Sequence, residues 1–217
     1  MLTDAPIPHW LWRLALGVLA LSVVGVSALA LALANGWADP PRAGPLRWMD
    51  DFKRGLDRWE ARAPEGVTAE ASGGALAFTF TAPDQWAYAL TDSPGPAFTL
   101  EIAGAQRAGD VGAAYGLVFG WEDETRFNWV VMNGNGYVEV VGPAATWFAW
   151  QQWPHLLYGY EANRVRVDVV NHAVTARIND ELLVAFDTPT TGKIGVAARS
   201  SAPGQVVVFG WAMVWSR

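Results

Sequence analysis

The chain has no cysteine, three histidines, and charged residues at only 17% of its 217 positions. The lack of cysteine removes disulfide staples, thiolate metal sites and cysteine nucleophiles together, so stability has to come from packing. His9, His155 and His172 offer no pair at metal-ligand spacing, and no G-x-S-x-G elbow occurs to present a nucleophilic serine. Basic residues are outnumbered 15 to 21, a formal charge of -6, which leaves no broad cationic surface for a phosphate backbone. Nucleic acid is therefore excluded as a partner. No catalytic residue, metal site or cofactor is predicted.

What the chain does have is apolar and aromatic residues, 52% hydrophobic with 13 tryptophans. Residues 14–34, "LALGVLALSVVGVSALALALA", carry no charge. At about 1.5 Å per residue this run spans the roughly 30 Å hydrocarbon thickness of a bilayer, and it predicts a transmembrane helix. Trp10, Trp12 and Trp37 flank it where indoles prefer the membrane boundary, and Arg13 is placed to snorkel. Ala32 and Ala34 resemble a signal-peptidase site, but the run exceeds an ordinary signal-peptide core, so an uncleaved anchor is expected. Gly17, Gly25 and Ala28 are among the small residues that suit either close helix packing or a plain lipid-facing surface. The resulting division is a tail at 1–13, the helix at 14–34, a Pro/Gly linker at 35–45 and one domain at 46–217. The expected location is a single-pass protein of the cell membrane whose carboxy-terminal domain is extracytoplasmic.

Beyond the linker the pattern changes to short alternating runs broken by turn residues. Strands are expected from Ala75, Ala97, Ala114, Arg126, Tyr137, Arg164, Ala173, Lys193 and Gln205, with no helix between them. That pattern predicts an antiparallel sandwich or barrel. If Asn171-His172 forms a two-residue turn, Val169 faces Val174, Val167 faces Ala176 and Val165 faces Ile178, which puts every apolar residue on one face. Arg166 then opposes Arg177 on the other face, with Asp168 nearby, and reads as a solvated surface rather than an anion site. "NGNG" at 133–136 reads as a hairpin turn, since no helix follows to make a phosphate loop.

Four stretches, 49–60 "MDDFKRGLDRWE", 115–141, 163–183 "NRVRVDVVNHAVTARINDELL" and 192–214, in this order resemble the concanavalin A-like lectin/glucanase superfamily. The likeness is to its laminin-G-like and family-16-glycosidase-like bacterial domains. It implies an all-β, two-sheet antiparallel jelly-roll sandwich, with adjacent first and last strands and a concave face that holds saccharide in relatives. The paired acids that the glycosidases alternate along one strand are missing, so catalysis is not expected. Phe209-Gly210-Trp211 stands where many relatives carry an aspartate near calcium, and that ligand is missing too.

The segment "TWFAWQQWPHLLYGY" sets Trp147, Trp150 and Trp153 three residues apart and adds Phe148 and Tyr158. Trp153 is expected in the core. The rest fit loop packing, a protein or membrane interface, or a sugar face. Two functions follow as expectations. The first is a non-catalytic accessory or scaffold subunit of a larger membrane complex, with other subunits and the bilayer as partners. The second is a tethered carbohydrate-binding module with saccharide as partner. A glycoside-processing enzyme is third.

Overall fold

The apolar run forms helix α1, His9–Ala34, in the computed structural model, which describes residues 8–34 and 39–217. The helix starts before Leu14 because His9 to Arg13 continue its first turn, and Leu11 N donates to Pro8 O at 3.0 Å. Proline is tolerated there because that N–H would have no helical partner. At about 1.5 Å per residue its 26 residues extend about 39 Å, and the side chains from His9 to Leu31 are all exposed. By length and composition it is able to cross a membrane, a property a signal sequence shares. The chain divides into two units, one ending at Arg42 and the other running from Ala43 to Arg217.

The second unit is built from strands β1 (Leu46–Asp50), β2 (Glu60–Arg62), β3 (Val67–Ser72), β4 (Ala75–Phe80), β5 (Trp86–Asp92), β6 (Ala97–Ala108), β7 (Ala114–Asp123), β8 (Arg126–Met132), β9 (Tyr137–Val141), β10 (Thr146–Gln152), β11 (Asn163–Val170), β12 (Ala173–Ile178), β13 (Glu181–Asp187), β14 (Lys193–Arg199) and β15 (Val206–Ser216). They make two antiparallel sheets. One runs β13-β12-β11-β6-β15-β4-β3 with β1 added on β15, eight strands in all; the other runs β10-β9-β8-β7-β14-β5-β2. First and last strands are neighbours, with Met49 opposite Met213.

Alternation sets the core. Leu76, Phe78 and Phe80 on β4, Phe98, Leu100 and Ile102 on β6, and Val165, Val167 and Val169 on β11 point inward. Tyr115, Leu117 and Phe119 on β7 and Ile194, Val196 and Ala198 on β14 meet them from the other sheet. On β15 the inward set shifts from Val207 and Phe209 to Ala212 and Val214, because a register slip between Phe209 and Trp211 absorbs one residue.

The β11–β12 hairpin has the expected register, Val169 to Val174, Val167 to Ala176 and Val165 to Ile178. Asn171 turns the chain with a φ of 57°, a conformation that asparagine tolerates. Its outward face differs from expectation. Arg166, Asp168 and Arg177 are buried rather than solvated. Asp168 Oδ1 accepts from Thr99 Oγ1 at 2.6 Å, Arg166 Nη2 at 2.8 Å and Arg217 Nη2 at 2.8 Å, so the charge is held by a network instead of water.

Candidate functional site

The seven-stranded sheet carries a second apolar layer on the face turned away from the core. Tyr88, Leu90, Val118, Trp121 and Ala197 form it, with Trp86 and Phe127 packed against them. Ladder register explains the layer: Tyr88 faces Ala197, Ala197 faces Gly116, and Val118 faces Trp129, all on the outward side. Trp86 on β5 and Trp129 on β8 have two strands, β7 and β14, between them, yet their rings stack with centroids 4.5 Å apart. The residues paired across the intervening strands include Ala197, Gly116 and Ala114, none with a side chain larger than a methyl group. Tyr88 stacks on Trp86 at 5.8 Å and Phe127 meets it edge-on at 6.1 Å. Each such pair contributes about 0.5–1.5 kcal/mol beyond its burial.

Two arginines lie over this layer. Arg62 sits 4.4 Å from the Trp121 ring centre and Arg199 sits 5.4 Å from that of Trp86. Each is also tied to a carboxylate: Arg62 Nε donates to Glu60 at 2.8 Å, and Arg199 Nη2 to Asp84 at 2.7 Å. Burial raises the Tyr88 phenol well above its ordinary pKa, and the nearby Glu124 charge adds to that.

Two open grooves flank the Trp86–Trp129 stack. The first, about 760 Å³, is lined by Arg62, Pro64, Gln85, Trp86, Tyr88, Glu124 and Phe127. The second, about 270 Å³, is lined by Trp129, Glu139, Trp150, Arg199, Ser200 and Ser201, and Asp84 borders both. An aromatic wall rimmed with fixed polar groups can pack the flat apolar face of a small ligand and orient it through hydrogen bonds.

The structure separates the expected aromatic cluster. Trp150 is 41% exposed, stacks on Tyr137 at 5.8 Å and lines the second groove. Trp147 stacks on Phe186 at 4.3 Å and, like Trp153, packs against the core. Phe148 meets Trp153 edge-on at 5.8 Å. Tyr158 is exposed, with its ring over Gly136, where an added Cβ would collide with it. Of the helix residues, Trp10 and Trp12 are 62% and 58% exposed, and Arg13 and Ala28 are exposed as well. At Gly17 and Gly25 an added Cβ would meet nothing within 4 Å. Trp37 lies outside the described residues.

Sequence reasoning passed over Trp86, Tyr88, Phe127, Trp129, Asp84 and Arg199 as site residues. The available signal was F-x-W in "RFNWVVM", which places two aromatics on one strand face.

The fold and this face define the class: a jelly-roll sandwich of the galectin-like and concanavalin-like kind. Among solved structures, the chain is similar to a protein of unknown function with a galectin-like fold from Bacillus subtilis, with TM-score 0.59 and 10% identity, covering 81% of this chain and 97% of that one. It is also similar to an endo-acting O-glycanase of the human gut microbiota, with TM-score 0.57 and 10% identity, covering 79% and 99%. A third is the exoplasmic/lumenal domain of VIP36 in a Ca2+- and mannose-bound form, with TM-score 0.55 and 8% identity, covering 74% and 83%. No family model matches the sequence, and no curated protein matches it.

Proposed function

We propose that the sandwich is a non-catalytic saccharide-binding module, tethered to a membrane by α1 and displayed outside the cytoplasm. The observation that carries this is the outward aromatic layer of the seven-stranded sheet, with Trp86, Trp129 and Trp150 bordering two open grooves that Asp84 joins. Folded neighbours that bind or process sugars, among them the mannose-bound VIP36 domain and the O-glycanase, support the reading at the level of the fold. Non-catalytic action is preferred because Asp84 is held by Arg199, which leaves Glu139 as the carboxylate of the second groove outside an ion pair. The retaining and inverting mechanisms each need two working carboxylates. The expectation of a subunit in a larger membrane complex rests on the small-residue helix, the tryptophan-rich edges, the missing active-site pattern and the short linker, and no feature of the described site adds to it.

The test is a glycan array with the full chain in detergent, followed by calorimetry on the glycans retained. The reading expects a retained glycan whose affinity falls at least about tenfold in Trp150→Ala, and no release of reducing ends. An array without retained glycans would contradict it, and hydrolysis of a bound glycan would replace binding with catalysis.

A further inference from the structure

The second groove contains a carboxylate that has no ion-pair partner among the described residues. Glu139 lies on β9 opposite Val131, on the outward side, half-buried beside Trp129 and Trp150. Among the described residues its carboxylate has no hydrogen bond and no salt bridge. Burial raises its pKa, and the Arg199 charge only partly offsets that. Arg199 is already committed, to Asp84 at 2.7 Å and to the face of Trp86. The charged lining of this groove is therefore Asp84 and Glu139 against Arg199. The first groove repeats the excess, with Asp84 and Glu124 against an Arg62 that is bound to Glu60.

This balance discriminates between classes of sugar. A uronate, sialate or sulfated sugar would meet surplus negative charge and two guanidiniums that already have acceptors. A neutral sugar would give Glu139 only hydroxyl donors. A protonated amine would give it a charge-assisted hydrogen bond and would also be attracted to the adjacent indole faces. Resting on the saccharide-binding reading above, we propose that the second groove takes a saccharide with a free amine, an unacetylated 2-amino-2-deoxyhexose unit. Its ammonium sits on Glu139 and its pyranose face lies on Trp150.

Calorimetry with the full chain in detergent at about pH 6, where an amine is protonated, tests this. The titrants are glucosamine oligomers, N-acetylglucosamine oligomers of the same length, and oligogalacturonate. The proposal expects glucosamine oligomers to bind about tenfold or more tighter than the acetylated series, and oligogalacturonate to bind weakest. Glu139→Gln should remove most of the amine preference with an unchanged melting temperature, while Glu124→Gln, in the first groove, should keep it. Equal affinity for the amine and acetylated series, or a preference that survives Glu139→Gln, overturns the proposal and leaves saccharide binding standing. Binding of other glycans on the array without any binding of glucosamine oligomers overturns it as well. Failure of every glycan overturns both readings.

Discussion

The two sheets share one core, yet their outward faces are made of opposite materials. On the eight-stranded sheet Thr99, Arg166, Asp168 and Arg217 form a buried polar network centred on Asp168 Oδ1, which all three partners share, while Asp168 Oδ2 has no hydrogen bond. On the seven-stranded sheet Trp86 stacks on Tyr88 and Trp129 with Phe127 edge-on to them, and the carboxylates at the margins, Glu124 and Glu139, keep capacity for an outside donor. A network whose charges are buried against one another can brace a sheet but presents little to a ligand. A stacked layer with unsatisfied polar groups at its edge has both a surface and a demand. The same alternation of side chains thus produces a structural face and a binding face.

Removing one partner from the buried network should cost most. Asp168→Ala leaves Arg166 and Arg217 without their shared acceptor, and an expected loss of about 3–5 kcal/mol is readable by urea denaturation. Replacing Arg166 and Asp168 together with apolar residues should cost less than the sum of the single changes, as a double-mutant cycle would register. On the aromatic face, Trp129→Ala should cost about 3 kcal/mol, since the ring is 7% exposed, and should also abolish binding at the second groove. Trp150→Ala sharpens the contrast. With its ring 41% exposed, stability should change by about 0.5 kcal/mol or less while glycan affinity drops at least about tenfold. The smallest effect belongs to Glu101. Burial raises its pKa against the pull of Arg164 and Arg166, so the folded state holds its proton to higher pH than the unfolded chain does. The native state then binds more protons, and this group's contribution to stability declines as pH rises through the carboxylate range. Glu101→Gln should flatten that part of the stability profile, by about 1 kcal/mol or less.

The hairpin of β11 and β12 was legible because its apolar residues repeat every second position across an asparagine turn, and only one register buries them all. The neighbouring Arg166–Arg177 row was not. Alternation says which residues share a face, but not that a distant threonine and the terminal Arg217 come back to close over Asp168. Strand β5 escaped notice for a related reason. "WAYALTD" is apolar on both faces, so period two is invisible in it, and Trp86 and Tyr88 cannot be told from core residues. In β10 the ladder slips between Thr146 and Phe148 and again between Phe148 and Gln151. Those slips put tryptophans three apart on a strand and send Trp150 outward while Trp147 and Trp153 face the core. The spacing was visible; the slips that explain it depend on pairing with β9.

Hydrogen–deuterium exchange on the full chain, with and without a saturating bound oligosaccharide, tests the division of labour between the two faces most directly. The account predicts new protection confined to the seven-stranded sheet and its margins, at the segments carrying Asp84 and Trp86, Phe127 and Trp129, Glu139, Trp150 and Arg199. Protection centred instead on β11 and β12, around Arg166 and Arg177, would contradict it.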